Sequence, residues 1–224
     1  MKLKSVLAIM AVGVFATACS DEKDDPKWGD VVADRMTNLD VSAYDKWIYI
    51  NLKTGATETY TDANEWIYTD GSTVPAKADE PVGIDWHIAI HRYEIRTNGG
   101  EVLDTRLTDM TAVTELPVGT YAQDEVIPYE EDGDFQVITD MSKMMTDYSV
   151  GYAKSATLNK VLCGWVKKTE TGTMPPILYE PTKNVMVLKC KDGSWAKLQF
   201  MYAGNTDTGK SGFVTFNYEF IPVR

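Results

Sequence analysis

The sequence predicts an all-β chain: a single-domain antiparallel β-sandwich or distorted barrel with few short helices. Three observations carry this reading. Runs of β-branched and aromatic residues recur at short spacing, each closed by Gly, Asn, Asp or Pro. Two turn clusters, Asn98-Gly99-Gly100 and Lys191-Asp192-Gly193-Ser194, stand between such runs. Helical patterning is thin, with Asp140–Tyr148 and Ser155–Trp165 as the only short candidates.

Taken in order, Asp45–Leu52 is rich in strand formers and stops at the turn Lys53-Thr54-Gly55, after which Thr57–Tyr60 reads as the returning strand. Ile84–Thr97 reads as one long strand, with Asn98-Gly99-Gly100 as its hairpin turn and Glu101–Thr108 as its partner. Val185–Lys189 and Trp195–Tyr202 bracket the second turn cluster. Gly212–Val223 closes the fold, Phe213, Thr215, Asn217 and Glu219 alternating with Val214, Phe216, Tyr218 and Phe220. The Pro-containing stretch from Pro75 to Pro81 reads as a loop between two sheets of one domain.

The N-terminus places this domain outside the cytoplasm. Lys2 and Lys4 form a basic start, Val6–Phe15 an apolar core, and Ala16-Thr17-Ala18-Cys19 a small-residue site ending in cysteine. This is a secretory signal of the bacterial lipoprotein kind, with residues 1–18 removed and Cys19 acylated. Residues 19–27 then form a lipid-bearing acidic tether, and 28–224 the β domain. The acids after Cys19 read either as a surface-export signal or as an ordinary solvated tether. The expected location is the outer membrane, facing the cell surface, with release as a further form.

Charge excludes one class of partner. The full chain carries −11, and loss of Lys2 and Lys4 with no acid makes the mature charge −13. No Lys/Arg block remains to neutralise phosphates, so nucleic acid is not an expected partner. Cys163 and Cys190 flank the Thr171–Ile177 turn, and two readings stand for them: a disulfide, or two buried free thiols.

No residue set asks for catalysis, and an enzyme is not expected. His87-Ile88-Ala89-Ile90-His91 has H-x-x-x-H spacing but lacks the Glu and the helix of a metalloprotease site. On a strand the two histidines would share a face, which permits a metal pair; otherwise His91 and Arg92 are hydrogen-bonding groups that fix the sheet. No Gly-x-Ser-x-Gly elbow occurs. Glu130, Glu131, Asp132 and Asp134 around Gly133 read as a solvated acidic loop, at best a weak calcium site. Methionine is the unusual residue: Met141, Met144 and Met145 cluster, and Met174 sits among turn residues in Thr171-Gly172-Thr173-Met174-Pro175-Pro176. A thioether is a soft, uncharged donor that raises the reduction potential of haem iron, and it is also an ordinary filler of apolar cores.

One long segment then resembles a known family. Trp86-His87-Ile88-Ala89-Ile90-His91-Arg92-Tyr93-Glu94-Ile95-Arg96-Thr97-Asn98-Gly99-Gly100 is similar to the W-D-I-A-F-H-R-Y-x-I-x-T-N-G-G strand and turn of HmuY-like haem-binding lipoproteins of Bacteroides-type bacteria. His87 and Ile90 depart from that pattern. Tyr44–Gly55, Met174-Pro175-Pro176, Asp192–Phe200 and Gly212–Phe220 resemble further family segments, in order. The resemblance implies an all-β haemophore that takes haem, from host haemoproteins among other sources, and passes it to a TonB-dependent outer-membrane receptor. It implies axial ligands on two loops of the second half, both of which hold Met here. Met174 is the expected first ligand, and its partner is one of Met141, Met144 or Met145, with Met145 preferred. Tyr129, Tyr148 and Tyr179 are expected wall residues or propionate donors, and soft sulfur favours ferrous haem. The alternative is a surface lipoprotein that binds a glycan or a partner protein through Trp28, Trp66 or Tyr60 in an open groove.

Overall fold

A computed structural model describes residues 29–129, 137–173 and 177–223. In chain order the strands are β1 (Val32–Asp40), β2 (Lys46–Ile50), β3 (Thr57–Thr61), β4 (Trp66–Tyr68), β5 (Thr73–Val74), β6 (Ile88–His91), β7 (Glu94–Thr97), β8 (Glu101–Asp104) and β9 (Ala122–Gln123). There follow β10 (Glu125–Pro128), β11 (Thr139–Asp140), β12 (Gly151–Ala153), β13 (Ser155–Leu158), the helix α1 (Lys160–Cys163), β14 (Val166–Glu170), β15 (Ile177–Pro181), β16 (Val185–Lys189), β17 (Trp195–Ala203) and β18 (Phe213–Ile221). Strand pairing is antiparallel throughout, as the all-β reading expects, and the sheets are open, so of the two expected architectures the sandwich fits and a closed barrel does not form.

A six-stranded sheet, ordered β1-β18-β17-β16-β8-β9, faces a four-stranded sheet, β3-β2-β6-β7. The main core lies between them: Leu198, Phe200, Phe216 and Phe220 from the first meet Ile50, Ile88, Ile90 and Ile95 from the second, all at most 1% exposed. The four-stranded sheet is buried on its other face as well. Trp47, Tyr49 and Ala89 point into a second core with Trp66, Tyr68, Ile138, Ala153 and Leu158. The period-2 alternation of β2 therefore sends Trp47 and Tyr49 one way and Ile48 and Ile50 the other, and both directions are apolar. On the outer face of the six-stranded sheet a third cluster, with Val187, Trp195 and Ile221, packs under the segment that carries Val113. Lys197 lies on that face too, its ammonium donating to the carbonyls of Met110 and Val113 at 3.2 and 3.1 Å and paired with Glu219.

The structure corrects four expected elements. Ile84–Thr97 is not one strand: it breaks at Arg92-Tyr93, a two-residue turn joining β6 to β7 with His91 opposite Glu94. Tertiary anchors override the strand pattern there, since the Tyr93 hydroxyl accepts from the Gly212 amide at 3.0 Å and the Trp165 indole donates to the Tyr93 carbonyl at 2.9 Å. Asn98-Gly99-Gly100 is not a hairpin turn, because β7 stays in the four-stranded sheet while β8 pairs with β16 and β9. The segment is a corner between sheets, tied by the Thr97 hydroxyl accepting from the Gly100 amide at 3.0 Å and by Asn98 Nδ2 donating to the Trp86 carbonyl at 2.9 Å. A Cβ on Gly100 would stand 2.6 Å from the Lys189 carbonyl oxygen, so the second glycine is needed for close approach to β16.

Asp140–Tyr148 is not a helix: Asp140 ends β11, and turns run from Ser142 to Asp147. The Asp140 carboxylate accepts from the Ser142 amide at 2.8 Å, a local bond that competes with helical pairing. Ser155–Trp165 divides into β13 and then α1, which Asn159 caps by accepting from the Leu162 amide at 2.9 Å. The hairpins β2–β3 and β16–β17 and the closing strand β18 stand where the sequence places them. The stretch from Pro75 to Pro81 runs without strand or helix between β5 and β6, which belong to different sheets.

Candidate functional site

A cleft of about 360 Å³ opens beside the β6–β7 turn. Arg92, Tyr93 and Glu94 supply one side and Tyr44 stands beside them; Lys168, Glu170, Ile177 and Tyr179 of the β14–β15 hairpin form another. Thr139, Met141, Val150 and Tyr152 close the third side from β11, β12 and the segment between them. The cleft therefore lies where three pieces of chain converge on the end of the four-stranded sheet.

Aromatic packing shapes its walls. The Tyr93 and Tyr179 rings lie 4.4 Å apart, and Tyr152 packs on Tyr129 at 5.3 Å. Burial, reinforced by the nearby Glu94 carboxylate, pushes the Tyr179 hydroxyl up to about 12, so it stays a neutral donor at ordinary pH. The Lys168 ammonium donates to Glu94 Oε1 at 2.7 Å, and Glu94 Oε2 accepts from the Tyr93 amide at 3.3 Å. Arg92 places its guanidinium 4.2 Å over the Tyr44 ring and donates from Nη1 to the Ser42 carbonyl at 2.7 Å. A second hollow of about 350 Å³, lined by Ile127, Leu158, Cys163 and Val166, shares Tyr93, Glu94 and Lys168 with the first.

The methionines occupy different settings. Met141 is half-buried and lines the cleft. Met144 follows one turn later, its amide donating to the Met141 carbonyl at 3.1 Å, and is 40% exposed. Met145 is 81% exposed. Met174 lies outside the described residues, as do Cys19, Trp28 and the acids around Gly133; Ile177, three positions after Met174, lines the cleft together with Met141. Of the expected wall tyrosines, Tyr179 lines the cleft, Tyr129 stands behind Tyr152, and Tyr148 is 86% exposed. The residues that sequence reasoning missed as site members are Tyr44, Arg92, Glu94 and Lys168. The signal for Arg92 and Glu94 was present in the family-like segment Trp86–Gly100, but reading it as one long strand hid the turn that brings Arg92 and Tyr93 to the cleft; Lys168 stands in none of the family-like segments.

The histidines do not share a face. His87 precedes β6, accepts from the Leu52 amide at Nδ1 (3.0 Å) and packs on Phe220. His91 is fully buried beside Trp47 and Trp66, with Nε2 2.5 Å from the Tyr44 carbonyl. No group of three or more His, Cys, Asp or Glu that could hold a metal ion occurs among the described residues. Cys163 and Cys190 are free thiols, each pushed up to about 12 by burial. Cys163 accepts from the Ile95 amide at 3.2 Å, and Cys190 sits across the β16–β17 turn, its amide donating to the Ser194 carbonyl. An open groove built on Trp66 is ruled out, because that ring is 6% exposed and belongs to the second core.

Comparison with known proteins adds five findings. The model of the HmuY protein family matches residues 43–218. Apo HmuY analog TFO of Tannerella forsythia is 38% identical, with a TM-score of 0.74 over 87% of this chain and 98% of that one. Apo PinO of Porphyromonas gingivitis is 30% identical, with a TM-score of 0.69 over 88% and 100%. A Bacteroides vulgatus protein described as HmuY-like and haem-binding is 27% identical, with a TM-score of 0.60 over 84% and 90%. No curated protein sequence matches the chain.

Proposed function

The chain belongs to the HmuY family, and from that premise we propose that it is a haem-binding lipoprotein that seats haem in the cleft beside the β6–β7 turn. One observation carries the proposal: the cleft is walled by Tyr44, Tyr93, Tyr152 and Tyr179 and is lined both by Met141 and by Glu170 and Ile177, which flank residues 171–176 in the sequence. Its volume of about 360 Å³ lies in the range of small-molecule sites, where apolar walls supply most of the affinity.

In this reading two thioethers hold the iron. Met174 supplies one and the Met141–Met145 segment the other, with Met145 the preferred residue and Met144 and Met141 its competitors. Exposed as it is, the Met145 side chain is free to reach a ligand, while Met141 already faces the cleft. Neutral sulfur stabilises the ferrous form relative to the ferric.

The lipoprotein signal at residues 1–19 supports an outer-membrane protein that faces the cell surface or is released. Such a protein would take haem from host haemoproteins and pass it to a TonB-dependent receptor. No catalytic step enters this role. An absorption titration with haem, under air and after dithionite, tests the proposal in wild type and in Met141→Ala, Met144→Ala, Met145→Ala and Met174→Ala. A low-spin ferrous spectrum that turns high-spin in Met174→Ala and in one of the other three names both ligands. Wild-type spectra identical to free haem overturn the reading.

A further inference from the structure

We propose that Arg92 is the seat for a carboxylate of the bound porphyrin, and so selects the free acid over esterified tetrapyrroles; this inference rests on the haem-binding reading of the cleft. The backbone is the first observation. Arg92 holds φ 54 at the first position of the two-residue β6–β7 turn. Hairpins give such a position to glycine, and a bulky residue there is a strained outlier of the kind that collects at ligand sites.

The second observation is how the head group is held. The guanidinium lies on the Tyr44 ring, gives Nη1 to the Ser42 carbonyl, and fits against Gly212, where a Cβ would stand 2.6 Å from Nη1. A side chain fixed on three sides in this way loses little freedom on binding a ligand.

Charge is the third. The cleft is lined by two cations, Arg92 and Lys168, and by Glu94 and Glu170. Lys168 is paired with Glu94 at 2.7 Å. Arg92 makes no ion pair of 4.0 Å or less among the described residues; its field does reach Asp40, whose carboxyl is lowered chiefly by its Ser42 hydrogen bond. A guanidinium has five N–H donors in a fork that matches a carboxylate, and the Ser42 carbonyl takes one of them. A half-buried, pre-positioned fork with donors to give is what a porphyrin carboxylate would find at this wall.

Iron-free protoporphyrin IX and its dimethyl ester separate this contact from iron ligation. Fluorescence titrations of both porphyrins with wild type, Arg92→Gly and Arg92→Lys, with thermal melts of each variant, test the inference. Wild type is expected to prefer the acid about tenfold, the factor a charge-assisted hydrogen bond carries. Arg92→Gly should bind acid and ester alike, at the wild-type ester affinity, and stay folded, because the relief of φ 54 by glycine offsets part of the lost Tyr44 and Ser42 contacts. Arg92→Lys should keep part of the preference. An acid-to-ester ratio unchanged in Arg92→Gly, or an equal loss for both porphyrins, overturns the role of Arg92 and leaves haem binding standing. Failure of wild type to bind haem or either porphyrin overturns both.

Discussion

Tyr68 donates its hydroxyl to the Asp140 carboxylate at 2.8 Å, and the same ring covers Gly151, where a Cβ would stand 2.6 Å away. One side chain from β4 therefore holds both ends of the segment that carries Met141, Met144 and Met145. Lys143, from the middle of that segment, sets its ammonium 4.3 Å over the same ring. The methionines stand on a strap buckled to the second core at Tyr68, with Thr69 tying down its far end at Val150.

Removing the buckle should be felt at the site. Tyr68→Phe keeps the ring but leaves Oδ2 of the buried Asp140 without the hydroxyl, its other oxygen still held by the Ser142 amide, a loss of about 1–3 kcal/mol. Urea melts should show that loss, and stopped-flow measurement should show faster haem release. Unchanged release with lowered stability would mean that the strap does not control the ligand.

Gly100→Ala should lower stability by about 1–3 kcal/mol, the usual range for overpacking. The added methyl meets the Lys189 carbonyl at 2.6 Å and Leu188 Cδ1 at 2.8 Å. A melt within error of wild type would show that the corner gives way.

Acid should weaken the fold through its histidines. Burial lowers both His91 and His87 below the ordinary value of 6.5, the neighbouring Glu94 and Asp62 only partly offsetting this for His91. The unfolded chain therefore takes up protons that the folded chain refuses, so stability is full above 6.5 and declines as pH falls below it. Asp40, lowered by its Ser42 bonds, adds a separate loss at lower pH, below 3.8. Melting temperatures between about pH 7.5 and 5.5 should fall in wild type and fall less in His91→Gln. Parallel slopes would assign the acid sensitivity elsewhere.

Reduction should tighten haem binding by about tenfold or more if two thioethers hold the iron. Over the pH range in which the fold is intact, acidification should not release haem, because a thioether has no proton to gain where an imidazole does. Equal or weaker affinity after dithionite would count against paired methionines.

The all-β class, the hairpins β2–β3 and β16–β17 and the strand β18 were legible because their turns and alternation are local facts of the sequence. What sequence reading lost was non-local. Nothing local to Ile84–Thr97 announces a turn at Arg92-Tyr93; the Gly212 amide and the Trp165 indole impose it from the far end of the chain. Asn98-Gly99-Gly100 has hairpin chemistry yet serves as a corner, because β16 takes β8 as its neighbour. The site suffered most from this. Methionines in turn-rich segments stand out in a sequence, whereas a cleft wall assembled from Tyr44, Arg92 and Lys168 exists only once three sheets are in place.

Trp47 and Ile48 are sequence neighbours whose side chains enter different cores on opposite sides of one sheet. A strand shared in this way cannot leave one layer without dismantling the other. The chain is then expected to melt in a single step, and haem captured at the cleft should raise the melting temperature reported from either core by the same amount. Tryptophan fluorescence from the second core would thus register a ligand that touches none of its indoles, which makes the fold its own binding gauge.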